Sequence, residues 1–194
     1  MHDIEAFILA GGASSRMGTD KSQLLLENEP LIQRIQNTLR TVVSRVCIVG
    51  LPRNDDRDVV SDIYPQWGAL GGIHAALTAC NSEWAIVCAC DLPFITPQLL
   101  QLLIGFRNDH DAVVPIQADG RPQPLCALYR INPCLQSAVE LIDIGRRRPL
   151  DLIQVVNTRW VSFSELEHLQ HSENFFVNIN TPEDYDEAIR GYSH

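Results

Sequence analysis

The run WAIVCAC, residues 84–90, is apolar along its whole length and stops at an aspartate. Seven residues suit a strand and are few for a buried helix. A strand that is apolar on both faces must be covered on both, which is the habit of parallel sheets flanked by helices. IEAFILA, residues 4–10, is a similar short run, apolar but for Glu5, and stops at Gly11 and Gly12. Two such runs, separated by helix-like segments, restrict the chain to an α/β fold. The expected architecture is a three-layer, Rossmann-like sandwich with a mostly parallel central sheet.

The other segments fit that order. PLIQRIQNTLRTVV places Leu31, Ile35, Leu39 and Val42 on one helical stripe behind Pro30. RVCIVG reads as a second strand, and GGIHAALTAC (71–80) as a short helix opening on glycines. TPQLLQLLIGF begins with Thr96 as cap and Pro97 at the first helical position. DAVVPI and PLCALY supply two more strands. PCLQSAVELI and PLDLIQ read as helices, TRWVSF and NFFVNI as strands, and NTPEDYDEAIRGY as a capped terminal helix. No repeat or linker divides the chain. RPQP near residue 122 is its one proline-rich patch, too short to separate domains, so the 194 residues read as a single domain.

A net charge of −9 argues against a nucleic-acid or acidic-membrane partner, since both need a basic surface. The N-terminal stretch has no basic leader, and its apolar run is cut short by Gly11, so the expected location is the cytoplasm. Six cysteines without a secretory signal do not imply a disulfide framework. Cys88 and Cys90 would point the same way on a strand. A metal would need further ligands at short spacing, and none is near, so they read as small core residues.

LAGGASSRMGTDK, residues 9–21, follows the first strand. In open α/β sheets ligands lie beyond the carboxyl ends of strands. Adjacent glycines let backbone N–H groups approach an anion, Arg16 can fork onto phosphate oxygens, and Lys21 acts as a point charge. A P-loop is excluded because Gly18 is followed by Thr19 and Asp20 rather than Lys and Ser or Thr. The dinucleotide fingerprint is excluded because Gly11 and Gly12 are adjacent. The loop therefore reads as a phosphate loop of neither type.

The same stretch resembles the signature of the nucleotidyltransferases that act on the molybdenum cofactor, the MobA family of guanylyltransferases. WGALGGIHAAL is similar to that family's Gly-Pro-Leu-Ala-Gly-Ile segment, with Ala69 for the proline and Gly71 for the alanine. CACDLPFITPQLL resembles its metal-site strand end, and FFVNINTPEDY its Asn-x-Asn-Thr-Pro segment. These matches run in order from Leu9 to Tyr185. One departure stands out: Gly50-Leu51-Pro52 stands where the family often carries an asparagine near the nucleotide.

The resemblance implies a fold of the nucleotide-diphospho-sugar transferase type. It also implies transfer of GMP from GTP to molybdenum-molybdopterin, with pyrophosphate released. GTP would be held by Leu9, Ala10, Gly11, Gly12, Lys21, Asp62 and Asp91 in an N-terminal half reaching to about residue 110. Molybdopterin would lie on a C-terminal half with Asn178 and Asn180. Arg16, Lys21 and Asp91 would be the catalytic groups, and Asp91 would hold Mg²⁺. The first charge after a long apolar strand suits that cation, which takes one or two carboxylates. Asp62 reads equally as a surface acid, and Asn178 and Asn180 as groups satisfying backbone at a strand end. Arg146, Arg147 and Arg148 form the single basic run, either a receptor for the pterin phosphate or a solvated patch. Implied partners beyond the two substrates are molybdopterin-handling proteins and apo-molybdoenzymes. The rival readings are a cytidylyltransferase for the same cofactor and a non-catalytic molybdopterin carrier or chaperone.

Overall fold

A computed structural model describes residues 3–10, 25–26, 28–50, 58–64, 67–179, 184 and 186. Seven strands form the main sheet: β1 (Ile4–Leu9), β4 (Val46–Val49), β5 (Val59–Val60), β6 (Trp84–Ala89), β7 (Ala112–Pro115), β8 (Cys126–Arg130) and β9 (Thr158–Val161). Their order is β5-β4-β1-β6-β8-β7-β9. Only β8 runs against its neighbours; β5, β4, β1 and β6 are mutually parallel, as are β7 and β9. A small antiparallel pair, β2 (Leu25–Leu26) with β3 (Glu29–Pro30), stands apart.

The apolar runs have the expected cause. All six residues of β1 and all six of β6 are buried, so helices cover both faces. Ala6, Ile8, Ile86 and Cys88 join one core, with Ile35 and Leu39 of α1 (Leu31–Arg40) and Leu99, Leu100 and Leu103 of α3 (Pro97–Gly105). Phe7, Leu9, Ala85 and Val87 join the other. There they meet α2 (Gly68–Ala79), α4 (Ile131–Asp143) and α5 (Pro149–Val155). These are the three layers. Thr96 caps α3 as expected, accepting the Leu99 N–H at 3.3 Å ahead of Pro97.

Three expectations are corrected. α2 begins at Gly68, three residues before the glycine pair at its expected start. Val42 is only partly buried, and its neighbour Val43 enters the core, because α1 ends at Arg40 and its stripe stops there. NFFVNI is not a strand. Residues 172–174 form a short 3-10 turn, and Phe175 and Phe176 are both buried, in edge contact with ring centroids 6.2 Å apart. Two successive inward side chains break the period of two that a strand requires. The terminal capped helix and the Thr181 cap fall outside the described residues, apart from Asp184 and Asp186, which are helical.

Candidate active site

The carboxyl ends of β1, β4, β5 and β6 lie along one edge, and backbone hydrogen bonds fix how they meet. Ala10 N–H reaches Val49 O at 2.9 Å, Gly50 N–H reaches Val60 O at 3.1 Å, and Cys90 N–H reaches Leu9 O at 3.2 Å. Asp91 therefore leaves the sheet beside the point where the glycine-rich sequence begins. Gly11, Gly12, Arg16 and Lys21 lie outside the described residues, as does Asn180.

The C-terminal segment comes to the same place. Ile179 N–H donates to Asp91 O at 3.0 Å, and Asn178 beside it is exposed. Ile179 itself is fully buried in a small cluster with Leu26, Leu31 and Phe94. Each member comes from a segment adjoining a predicted site residue. Leu26 and Leu31 follow the glycine loop in sequence, Phe94 follows Asp91, and Ile179 stands between the two asparagines. Apolar burial thus fastens three distant stretches of sequence together at one corner of the sheet.

Asp62 sits past the end of β5, three strands across from β6. The Oδ1 atom of Asp62 accepts the Tyr64 N–H at 2.8 Å, a turn closed by its own side chain. Tyr64 packs edge-on against the His74 ring, with centroids 5.0 Å apart. Burial pushes the His74 imidazole below its ordinary pKa and outweighs the opposing pull of Asp62. Its Nδ1 is sealed from solvent and unbonded.

The arginine run is placed by its flanks. Gly145, at φ +82°, stops α4, with Arg146 N–H closing back onto Leu141 O at 2.8 Å, and Pro149 opens α5. Because β8 descends, α4 climbs back to the carboxyl edge before α5 returns. Arg146–Arg148 are consequently exposed at the same edge as Asp91. The Arg147 guanidinium lies 4.5 Å from the centre of the Trp67 ring, just ahead of α2.

Cys47, Cys88, Cys126 and Cys134 are buried, whereas Cys80 and Cys90 are half-buried. All six are free thiols, and among the described residues no group of three His, Cys, Asp or Glu side chains could hold a metal. The Cys88 thiol is pushed well up by its contact with Cys126 across the sheet and by burial, so it is no thiolate. Sequence reading missed Trp67, the Ile179–Asp91 bond and Gln123, which is 8% exposed at this edge. The Gly-Arg-Arg-Arg-Pro pattern, a helix stop and a helix start around three cations, was the one available signal for the arginine placement.

A mostly parallel sheet whose first strand is followed in sequence by a glycine-rich stretch has the pattern of the nucleotide-handling α/β folds. A family profile described as "MobA-like NTP transferase domain" matches residues 6–158, and the chain belongs to that family of nucleotidyltransferases. It is 35% identical over 185 residues to "Probable molybdenum cofactor guanylyltransferase" of Pelotomaculum thermopropionicum, covering 93% of this chain and 89% of that one. It is 31% identical to "Molybdenum cofactor guanylyltransferase" of Desulfosudis oleivorans, covering 97% and 95%. Among solved structures it superposes on molybdopterin-guanine dinucleotide biosynthesis protein A of Archaeoglobus fulgidus with a TM-score of 0.81 and 25% identity, over 97% of this chain and 98% of that one. A TM-score of 0.70 at 14% identity to a Thermus thermophilus cytidylyltransferase reflects the shared nucleotide-diphospho-sugar transferase fold alone.

Proposed function

We propose that this protein transfers GMP from GTP to molybdenum-molybdopterin, forming molybdopterin guanine dinucleotide and releasing pyrophosphate. The observation that carries the reading is the junction at Asp91, where the end of β1, the end of β6 and the Asn178 segment are fastened by the Leu26–Leu31–Phe94–Ile179 cluster. An acceptor held by Asn178 and Asn180 would there face a triphosphate held by Leu9, Ala10, Gly11, Gly12 and Lys21, with Asp62 toward the nucleoside. The N-terminal half would thus serve the nucleotide and the C-terminal half the pterin. The relatives' names support guanine as the base and molybdopterin as the acceptor. A cytoplasmic location belongs to the same proposal.

The incoming phosphate is already an anionic nucleophile, so no Ser–His or Cys–His pair is needed. The chemistry needs alignment and positive charge between two polyanions. Arg16 and Lys21 would supply charge from the loop, and the exposed Arg147 would meet the acceptor's phosphate. The half-buried Asp91 carboxylate at the strand end suits a hard, oxygen-seeking cation, so Asp91 would hold Mg²⁺. Once bound, that ion would neutralise charge on the triphosphate and on the departing pyrophosphate.

The test is a thermal-unfolding panel of GTP, CTP, ATP and UTP with Mg²⁺. A nucleotide held by the folded state raises the midpoint once its concentration exceeds its Kd. GTP should give the largest rise. A larger rise with CTP would favour cytidylyl transfer, and no rise with any nucleotide would favour a carrier.

A further inference from the structure

The proline-rich patch RPQP, which the sequence reading left without a role, encloses a glutamine held in an unusual way. Gln123 is 8% exposed, yet among the described residues its amide has no hydrogen-bond partner. Nor is that amide sealed off. His74 Nδ1 is the only described side-chain N or O atom both fully buried and unbonded, so the Gln123 amide opens onto solvent.

The backbone around it is fixed from every side. Pro122 and Pro124 flank it, each with φ locked by its ring. Its own N–H donates to Pro115 O at 2.9 Å, and its carbonyl accepts the Cys126 N–H at 3.2 Å. From beneath, the fully buried Tyr129 donates its hydroxyl to Pro124 O at 2.7 Å. The backbone thus holds Gln123 in place while its amide, with no protein partner, meets solvent, where the polar edge of a ligand can replace water.

Its position identifies the ligand. The next residue but one, Leu125, accepts the Ala89 N–H at 2.8 Å, so Gln123 stands at the carboxyl edge near Asp91. It lies opposite Pro115, which in turn pairs with Val161, and Val161 and Val113 both enter the α1–α3 core. Opposed residues share a face, so Gln123 is on the face that Phe176 also enters. On that side a cavity of about 190 Å³ is lined by Gln117, Asp119, Phe163, Glu173, Phe176 and Val177; Gln123 stands just outside this lining, two residues along from Arg121, whose carbonyl accepts the Gln117 N–H. Val177 is two residues from Ile179, hence within about 7 Å of the residue that bonds Asp91. That separation matches a ligand whose phosphate meets Asp91 and whose flat ring rests against the phenylalanines.

We propose that Gln123 is a specificity contact for the second substrate. Its amide pairs with the donor–acceptor edge of the pterin ring, much as glutamine reads the edge of adenine. This rests on the function proposed above.

The experiment titrates wild type, Gln123→Met and Gln123→Glu separately with molybdopterin and with GTP·Mg²⁺, alongside thermal unfolding. Methionine keeps the volume and removes the amide. It should weaken molybdopterin binding about tenfold while leaving GTP affinity within about twofold. Its unfolding midpoint should not fall, since the amide has no protein partner to lose; a structural residue would behave in the opposite way. If Gln123→Met does not fold, Gln123→Glu decides, because it keeps the shape and loses the donors and should also bind molybdopterin more weakly. Unchanged molybdopterin affinity in the folded variant, or a loss confined to GTP, overturns the assignment. Wild-type protein that binds no molybdopterin overturns the proposed function, and this inference with it.

Discussion

Replacing Gly71 with alanine adds one methyl group in the first turns of α2. An ideal Cβ there lies 2.5 Å from the backbone oxygen of Tyr64, 3.2 Å from Trp67 Cβ and 3.4 Å from Asp62 Oδ1. Carbon and carbonyl oxygen ordinarily meet no closer than about 3.3 Å, so the methyl is about 0.8 Å too near a main-chain atom. The helix itself gains about 1 kcal/mol from glycine to alanine. Overpacking costs about 1–3 kcal/mol, and displacing Tyr64 O from the Trp67 N–H it accepts at 2.9 Å costs about 1 kcal/mol more. The net expectation is a loss of about 1–3 kcal/mol, or about 2–4 °C of midpoint for each kcal/mol in a chain of this size. Gly105→Ala provides the control, because nothing lies within 4 Å of its Cβ. There the same chemical change should stabilise by about 0.5 kcal/mol. Urea unfolding of both variants gives the comparison, and GTP titration of Gly71→Ala should show weaker binding as Asp62 and Trp67 shift. If Gly71→Ala proves as stable as Gly105→Ala, Tyr64 is not packed on the helix as argued.

Asp91→Asn should lose most GMP transfer while keeping its unfolding midpoint. Full activity at limiting Mg²⁺ would show that the metal is held elsewhere. Replacing both Asn178 and Asn180 with alanine should leave GTP affinity nearly intact and weaken molybdopterin binding by about 1–3 kcal/mol for each buried partner left unpaired; the reverse pattern in paired titrations would exchange the roles of the two halves. His74 has its folded pKa below the ordinary 6.5, so the unfolded chain binds the proton first. Its contribution to stability is complete above pH 6.5 and is lost as the pH falls through the lower folded value. His74→Leu should flatten the decline in unfolding free energy from pH 7 to 5, and an unchanged slope would mean that His74 does not titrate in this way.

Much of this was legible in the sequence because burial writes itself into composition. β1 and β6 are covered on both faces, and their runs are apolar but for Glu5, which is paired with Arg45 at 2.8 Å. The reversal of β8 was harder to see, since a strand buried on both faces looks the same in either direction. Its signal lay in the connection: Asp119 and Gly120 mark a turn, and the stretch from Ile116 to Leu125 is too short for a crossover helix. β2, β3 and β5, with two residues each, are below the length at which any period can be read. The C-terminal segment misled because Phe175-Phe176-Val177 has strand-forming side chains but no alternation. Asp91 and Asn178 were singled out in sequence, yet their meeting was not foreseeable. It depends on one backbone bond between residues 88 apart and on Ile179 finding Leu26, Leu31 and Phe94. Gln123 escaped notice because a buried glutamine has no periodic signature.

The most direct measurement is product formation. The protein, Mg²⁺ and molybdenum-molybdopterin are incubated with GTP or CTP, and the pterin products and pyrophosphate are resolved by mass spectrometry and an enzymatic assay. The account predicts molybdopterin guanine dinucleotide with one pyrophosphate per product, and little or no cytosine dinucleotide. A cytosine dinucleotide as the main product, or bound molybdopterin recovered unchanged with no pyrophosphate released, would contradict it.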